Sequence, residues 1–210
     1  TALDTDLLAT TAQRIPIVVA PSATDAEGVE YVASANEQGL VLAVEHLAAL
    51  GHRKIVYCES PTSGGNVERY RGYLKAMAAN GLEDEIDVVP GSPREEDGAG
   101  AAALLLARDE LPTAVIAFND NCAAGVQDLF LRRQVRVPED VSLVGFDDSE
   151  VARLSYRSFT TIRQDIDSLG EAAVARAIAR MAGQPAVSAP EEIPTVLVSR
   201  TTTGPPRERG

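Results

Sequence analysis

Basic residues and aromatic rings are both scarce in this chain of 210 residues. It carries 19 Lys and Arg against 31 Asp and Glu, which gives a net charge of −12. Binding of DNA through the overall electrostatic field needs clustered Lys and Arg, so we do not expect this chain to bind DNA in that way. Aromatic residues make up 4% and Trp is absent. A stacking surface for single-stranded nucleic acid is therefore not expected either.

Cysteines and long apolar segments are equally scarce. Cys58 and Cys122 are separate in the sequence and form no CxxC pair, so we interpret them as small buried thiols in a reducing compartment. No window approaches the ~18 consecutive apolar residues of a membrane span, and no signal-peptide pattern is visible. These absences predict a cytoplasmic protein without a membrane partner.

The common catalytic motifs are missing too. The chain has no GxxxxGK[ST], GxGxxG, GxSxG or HExxH pattern. His46 and His52 lie six residues apart around a predicted helix end, which favours a structural role over a zinc site. A Mg²⁺ site made of Asp120, Asp147 and Asp148 stays open as an alternative. The leading prediction is that the protein is not an enzyme and has no cofactor or resident metal.

Short apolar runs alternate with amphipathic stretches along the chain. Continuous apolar runs of strand length, separated by helical patterns, predict an α/β fold with parallel sheets covered on both faces. The predicted strands are 15–20, 54–60, 87–92, 113–118, 141–146, 159–164 and 194–201, and the predicted helices are 39–50, 67–80, 99–109, 119–134 and 168–183.

Polar side chains follow four of these strands at the point where each strand ends. They are Arg69, Asn119 with Asp120, Asp147 with Asp148, and Gln164. Ligands of open parallel sheets bind beyond the carboxyl ends of the strands, so this set is expected to converge on one crevice. A guanidinium, carboxylates and amides suit a neutral polyhydroxyl ligand such as a sugar, and they also tolerate a small anion or a purine.

Each member of this set also has a plainer interpretation. Asn119 and Asp120 fit simple helix caps, and Arg69 fits a surface arginine paired with Glu68. Gln164 fits a residue that caps the helix after it. The combination therefore carries more weight than any single residue.

Five segments of the chain resemble the effector-binding domain of the LacI/GalR family of bacterial transcription regulators. They occur in the family's order and spacing: LAVEHLAALGHRKI (42–55), ERYRGYLKAM (68–77), PTAVIAFND (112–120), VPEDVSLVGFDD (137–148) and FTTIRQD (159–165). GHRKI and VPEDVSLVGFDD are the most specific, because they separate these regulators from similar periplasmic sugar-binding proteins.

The resemblance implies two Rossmann-like parallel-sheet subdomains of the periplasmic binding protein-like type I fold, joined by three crossovers. The N-terminal subdomain is expected to hold 1–51 and 166–193, and the C-terminal subdomain 52–163 and 194–204, with 205–210 as a frayed tail. In the family, a helix-turn-helix, a hinge helix and about two strand–helix units precede the segment that matches residue 1. We therefore expect a truncated chain with an incomplete N-terminal subdomain.

The resemblance also implies the ligand-binding residues Arg69, Asn119, Asp147, Gln164 and Asn36. Asp147 is expected to face the ligand, while Asp148 turns towards backbone amides or arginines, because neighbours in an extended segment point to opposite sides. The sequence departs from the family pattern in two places. Ala35 stands where the family has Asp, and YRSFTT (156–161) replaces a proline-rich segment.

Taken together, the resemblance implies the effector-sensing domain of a LacI-type regulator, acting as a repressor. Its expected partners are a small-molecule effector, namely a sugar or sugar derivative, a second copy of the chain, and operator DNA through a helix-turn-helix absent from this chain. Two alternatives remain: a sugar-binding protein of a transport system with the same fold, and a metal-dependent hydrolase using the carboxylates.

Overall fold

The computed structural model describes residues 4–21, 23–187 and 191–207, which form two β-sheets with helices packed on them. The helices are α1 (Thr5–Ala12), α2 (Asn36–Ala49), α3 (Asn66–Ala79), α4 (Glu95–Leu106), α5 (Asp120–Arg132), α6 (Glu150–Arg153) and α7 (Ile166–Met181), with a 3-10 turn at Glu83–Glu85. The strands are β1 (Val18–Val19), β2 (Glu30–Ser34), β3 (Ile55–Glu59), β4 (Asp87–Pro90), β5 (Ala114–Ile116), β6 (Ser142–Asp147), β7 (Thr160–Arg163), β8 (Glu191–Ile193) and β9 (Val196–Val198).

The large sheet has six strands in the order β4-β3-β5-β6-β7-β9. Alternate residues of each strand point to opposite faces, so the sheet separates two apolar clusters. Val56 and Cys58 of β3 pack in the cluster that contains α4 and α5 residues. Ile55 and Tyr57 pack in the cluster with α2 and α3 residues. This double covering explains the continuous apolar runs, and the predicted α/β fold is confirmed.

The last strand departs from the expected parallel order, because β9 pairs with β7 in the antiparallel sense. Arg163, at the end of β7, lies opposite Val196, at the start of β9. The chain leaves the large sheet at this edge for α7 and β8, then re-enters at the same edge through the short connection of Pro194 and Thr195. A strand that enters where its neighbour leaves must run in the opposite direction.

The small sheet has three parallel strands in the order β1-β2-β8, with α7 packed against β1 and β2. A buried carboxylate joins these elements: Glu30 of β2 lies 3.0 Å from Arg176 and 3.4 Å from Arg180, both on α7. The sequence patterns missed α1, β2, α6 and β8. These elements are short, and β2 begins with Glu30 and ends with Ser34, which leaves only a short apolar run.

The division into two subdomains stays a prediction. One element, α2, packs with the other sheet than the one this division gives it. The prediction groups α2 with the small sheet by placing a crossover near Gly51. In the structure Leu40, Val44 and Leu47 of α2 pack in the large-sheet cluster. The change of sheet therefore falls near Ala35, between β2 and α2, because the apolar stripe of α2 is buried against α3 and the large sheet.

The C-terminal segment is also more firmly held than expected. The predicted frayed tail, 205–210, is held as far as Arg207, whose guanidinium donates to the carbonyl oxygens of Asp140 and Leu111 at 2.9 and 2.8 Å. Residues 208–210 lie outside the described residues. His52 donates through Nε2 to the Gly204 carbonyl oxygen, at 2.9 Å, so its predicted structural role is confirmed.

Helices α4 and α5 approach each other closely through glycines. A Cβ atom on Gly98 of α4 would lie 2.0 Å from the carbonyl oxygen of Cys122, whereas a Cβ on Gly100 would meet nothing within 4 Å. Cys122 and Cys58 are fully buried and free, as predicted. One glycine of α4 is thus required for packing and the other is not.

This contrast gives a matched pair of substitutions in one helix. Gly98→Ala should destabilise the protein by about 1–3 kcal/mol, because it forces α4 and α5 apart. Gly100→Ala should stabilise it by about 0.5–1 kcal/mol, because alanine loses less backbone entropy in a helix than glycine. Urea unfolding of both variants measures the difference, and equal effects would contradict the close approach of the helices.

Candidate functional site

Four predicted ligand residues meet between the two sheets, at the carboxyl ends of the strands. Asn36 begins α2 directly beyond β2, and Arg69 lies in the first turn of α3 beyond β3. Asp147 ends β6, and Gln164 follows β7. With Ser34 at the end of β2, these residues form what we call the cleft residues: Ser34, Asn36, Arg69, Asp147 and Gln164.

The Arg69 side chain is buried, with 5% of its surface exposed. Its Nε donates to Asn36 Oδ1 at 2.9 Å, and one Nη donates to the Phe118 carbonyl oxygen at 2.6 Å. The guanidinium lies 3.6 Å from the centre of the Phe146 ring, a cation–π contact. Burial lowers the pKa of Arg69, against the opposing effect of Asp147. The alternative of a surface arginine is therefore excluded.

A chain of hydrogen bonds crosses from one sheet to the other through Gln164. Ser34 of the small sheet donates to Gln164 Oε1, and Gln164 Nε2 donates to Asp147 Oδ1 at 2.6 Å. The second Nη of Arg69 lies 3.9 Å from the same Asp147 oxygen. Burial raises the pKa of Asp147, and the Arg69 charge and the Gln164 hydrogen bond only partly offset it. Asp147 thus has one oxygen engaged by these partners.

Asn119 does not join this group through its side chain. Its Oδ1 accepts from the Cys122 backbone N–H at 2.9 Å, and its Nδ2 donates to the Pro93 carbonyl oxygen at 3.3 Å. The helix-cap interpretation therefore describes Asn119 in this structure, and its ligand role stays a prediction. Asn36 is held at the cleft, because its Nδ2 donates to the Ser34 carbonyl oxygen at 3.2 Å.

Sequence reasoning missed Ser34 and the two rings beneath Arg69. Ser34 lies in a strand whose pattern was not recognised. Phe118 and Phe146 end apolar runs directly before polar pairs, but that position does not distinguish a ring under a guanidinium from a core residue. The rings lie 4.6 and 3.6 Å from the Arg69 carbon, a contact that only the folded chain creates.

Asp148 bonds arginines, as expected, and not the partners of Asp147. The expected reason was wrong, because both residues have positive φ and the segment is not extended here. Its buried carboxylate accepts from Arg163 Nε at 2.7 Å and from Arg200 at 2.5 Å, and from Arg153 at 3.2 Å. Burial alone would raise the pKa of Asp148, but the hydrogen bonds from these three arginines outweigh burial and lower it. We call Arg153, Arg163 and Arg200 the arginine cluster.

The three carboxylates of the magnesium alternative have separate partners. Asp120 Oδ1 accepts from the Thr161 hydroxyl and Oδ2 from the Ser149 backbone N–H, both at 2.7 Å. Asp147 bonds Gln164, and Asp148 bonds the arginine cluster. Within the described residues, no three His, Cys, Asp or Glu side chains gather in a way that would hold a metal ion. The geometry gives the hydrolase alternative no support.

Asp147 and Gln164 line an open cavity of about 1330 Å³. Ile193 of β8 and the start of α7 line it from the small-sheet side. Asp148 and the arginine cluster also line this cavity, whereas Ser34, Asn36 and Arg69 do not. Its open volume is large enough for a small molecule beside Asp147 and Gln164. Over the described part of the chain, no helix combines the length and apolar character needed to cross a membrane.

The backbone at Asp147 and Asp148 is unusual. Their φ angles are 110° and 51°, both positive. Asp tolerates the left-handed region near 51° better than most residues, but 110° favours glycine. Non-glycine residues in such conformations cost about 1–3 kcal/mol each, and this strain concentrates at functional sites.

Two sheets with a polar cleft at the crossovers between them define a periplasmic binding protein-like domain, and comparison with known proteins agrees. The periplasmic binding protein-like domain family matches residues 44–203. A LacI transcriptional regulator from Rhodococcus species has a solved structure that superimposes with a TM-score of 0.95 at 42% identity, covering 99% of this chain and 77% of that one. The chain belongs to the LacI/GalR family of transcription regulators.

Two further relatives extend the comparison. The lactose operon repressor of Escherichia coli (strain K12) is 32% identical over 186 residues, which cover 86% of this chain and 50% of the repressor. A LacI family regulator from Enterococcus faecium, solved with bound ribose, superimposes with a TM-score of 0.82 at 26% identity, covering 90% of this chain and 71% of that one. The chain spans about half the length of the curated relatives it matches.

The strain at Asp147 predicts an ordering of two variants that both lack the carboxylate. Asp147→Gly should be more stable than Asp147→Ala by about 1–2 kcal/mol, because glycine adopts a φ of this kind without strain. The difference between their free energies of unfolding in urea measures the effect of the backbone strain alone. At Asp140, which is not among the residues with positive φ, the order should reverse. If alanine is the more stable residue at both positions, the strain is absent.

Asp120 predicts a pH dependence of stability. Burial raises its pKa to about 6 from an ordinary value of 3.8, although hydrogen bonds from Thr161 and Ser149 oppose the shift. The folded protein then binds the proton more tightly than the unfolded chain. The stability this group contributes is present below the unfolded pKa and is lost as the pH rises through the folded pKa of about 6.

Asp120→Asn removes this titration, so the wild type should lose more unfolding free energy than the variant between pH 4 and 7, a range of about three units. Urea unfolding at several pH values measures both curves. All other titrating groups are common to the two proteins, so curves that stay parallel would disprove the raised pKa.

Proposed function

We propose that this chain is the effector-sensing domain of a LacI-type repressor and that its effector is a sugar or sugar derivative. The observation that carries the proposal is the hydrogen-bond chain from Ser34 through Gln164 to Asp147, which joins the two sheets beside the cavity that Gln164 and Asp147 line. Amides, a hydroxyl and a carboxylate supply both donors and acceptors, as the hydroxyls of a sugar require. The ribose bound to the Enterococcus faecium regulator supports this choice of class.

Ligand binding at this place is suited to switching. Ser34 belongs to the small sheet, whereas Asp147 and Arg69 belong to the large-sheet side. A ligand that bonds both sides favours the relative orientation in which it fits best, and it shifts the equilibrium only by its difference in affinity between orientations. The ligand is bound and released unchanged, so no enzymatic step is proposed.

The proposed partners follow from the same function. The net charge of −12 disfavours direct contact with DNA, so operator binding is assigned to a helix-turn-helix outside this chain, in the cytoplasm. A homodimer transmits the change. Leu131 and Tyr156, 73% and 74% exposed, border one surface cavity and suit a contact between two copies. The transport alternative is not favoured, because the relatives named above are transcription regulators.

The sugar proposal is tested by thermal unfolding in ribose, galactose, lactose and cellobiose, with hypoxanthine as the purine comparison. A ligand at about 100 times its Kd stabilises the folded state by about 2.7 kcal/mol, which raises the Tm by several degrees. We expect at least one sugar to do so. Stabilisation by hypoxanthine alone would overturn the sugar class, and no stabilisation by any of them would overturn the proposal as stated.

Asp147→Asn should abolish or strongly reduce the stabilisation by the sugar that binds, because each hydrogen bond from a hydroxyl to a charged carboxylate contributes about 1.5–3 kcal/mol. Asp140→Asn is the control, since Asp140 is paired with Arg136 at 2.8 Å and does not line the cavity. Isothermal titration calorimetry gives both affinities. Equal affinities for the two variants would remove Asp147 from the site.

A further inference from the structure

The turn that carries Asp147 is strained, and the Asp147 side chain has a defined orientation. Asp147 and Asp148 both have positive φ, at 110° and 51°. Asp147 is directed at Gln164 and Arg69, while Asp148 is directed at the arginine cluster. Strained backbone persists only where surrounding contacts hold it, so the question is which contacts hold this turn.

The contacts of Asp148 are the strongest in the turn. Its side chain is fully buried, and its two oxygens accept from all three members of the arginine cluster, at 2.5 to 3.2 Å. Arg200 also donates to the Phe159 carbonyl oxygen at 2.7 Å. A buried carboxylate with three charged donors is difficult to move, because each lost contact leaves a charge without its partner.

The arginine cluster ties together the chain segments that meet at the crossovers. Arg153 belongs to α6, Arg163 ends β7, and Arg200 follows β9. Arg163 lies opposite Asp147 in the pairing of β6 with β7, and opposite Val196 in the pairing of β7 with β9. Gln164, the partner of Asp147, is the next residue after Arg163. One member of the cluster, Arg163, is therefore adjacent to Gln164 in sequence and to Asp147 across the strands.

We propose that Asp148, through the arginine cluster, is a positioning residue that holds the strained turn and aims Asp147 at the cleft. The ligand role of Asp147 rests on the proposed function, but the geometry of the turn does not. Asp147 and Gln164 bond each other at the ends of β6 and β7, and Asp148 and Arg163 bond each other at the same two strand ends. All four residues line the same cavity. A change in the contacts of Asp147 with an effector is therefore expected to alter the contacts of Asp148 and Arg163 at the crossover, and the reverse.

A second support of the turn has to be separated from this one. The Ser149 backbone N–H donates to Asp120 at 2.7 Å, and the Asp148 N–H donates to the Thr161 hydroxyl at 3.4 Å. If these bonds suffice, removing the charge of Asp148 leaves the turn unchanged. Asp148→Asn tests this directly, since asparagine keeps the size of the side chain and tolerates a φ near 51°.

The experiment needs no ligand, so its outcome is independent of the sugar proposal. Hydrogen exchange followed by mass spectrometry compares wild type, Asp148→Asn and the control Asp140→Asn, which loses an ion pair away from the cleft. In Asp148→Asn, exchange should accelerate about tenfold or more in 147–149 and 163–165 while β3 and β5 keep their protection. A carbon-13 NMR titration should show the pKa of Asp147 moving towards its ordinary value, because the released carboxylate becomes solvated and a neighbouring negative charge is removed. In Arg163→Gln a cation is lost instead, so a downward shift there is due to solvation.

Two results would overturn the proposal. One is an unchanged Asp147 titration with unchanged exchange in 147–149. The other is faster exchange to the same extent in every strand, which would indicate only a general loss of stability. If Asp148→Asn does not fold, Arg153→Gln and Arg163→Gln replace it, since both side chains are about half exposed. Each should shift the Asp147 titration in the same direction by a smaller amount, and wild-type titrations in both would overturn the proposal.

Discussion

The burial of the Arg69 guanidinium is the constraint on which the rest of the site depends. A cation removed from water must be matched by acceptors, or its burial costs several kcal/mol. Here the acceptors come from separate elements: Asn36 at the start of α2, the Phe118 carbonyl oxygen after β5, and Asp147 at the end of β6. The requirement to satisfy one arginine therefore fixes the relative positions of three strand exits.

The two adjacent aspartates have different roles. Asp147 keeps a raised pKa and few partners, which leaves it available to a ligand, whereas Asp148 is saturated by charged donors and has a lowered pKa. Like charges in neighbouring positions are tolerated because each carboxylate has its own partners: Gln164 and Arg69 for Asp147, and the arginine cluster for Asp148. Asp147 is thus available to bind a ligand, and its neighbour Asp148 holds the turn rigid.

Much of the fold followed from local patterns. The inner strands of the large sheet, β3, β5, β6 and β7, are largely buried on both faces, so their apolar runs are continuous and were recognised. The small sheet was recognised poorly, because β1 and β8 have two and three residues and β2 carries the buried Glu30. The sheet against which α2 packs could not be predicted from the local sequence pattern either. Its apolar stripe shows that one face is buried, but not which sheet covers it.

The candidate site divides in the same way. The sequence by itself determined which residue types stand at the strand ends, since the end of an apolar run marks where a buried strand reaches solvent, and the family resemblance added Asn36. The sequence also allowed the local cap that Asn119 forms on α5. Only the tertiary structure decided that Asn36 bonds Arg69, that Ser34 joins Gln164, and that two phenylalanine rings flank Arg69. These choices depend on distances between segments 30 to 130 residues apart, and no local pattern encodes such distances.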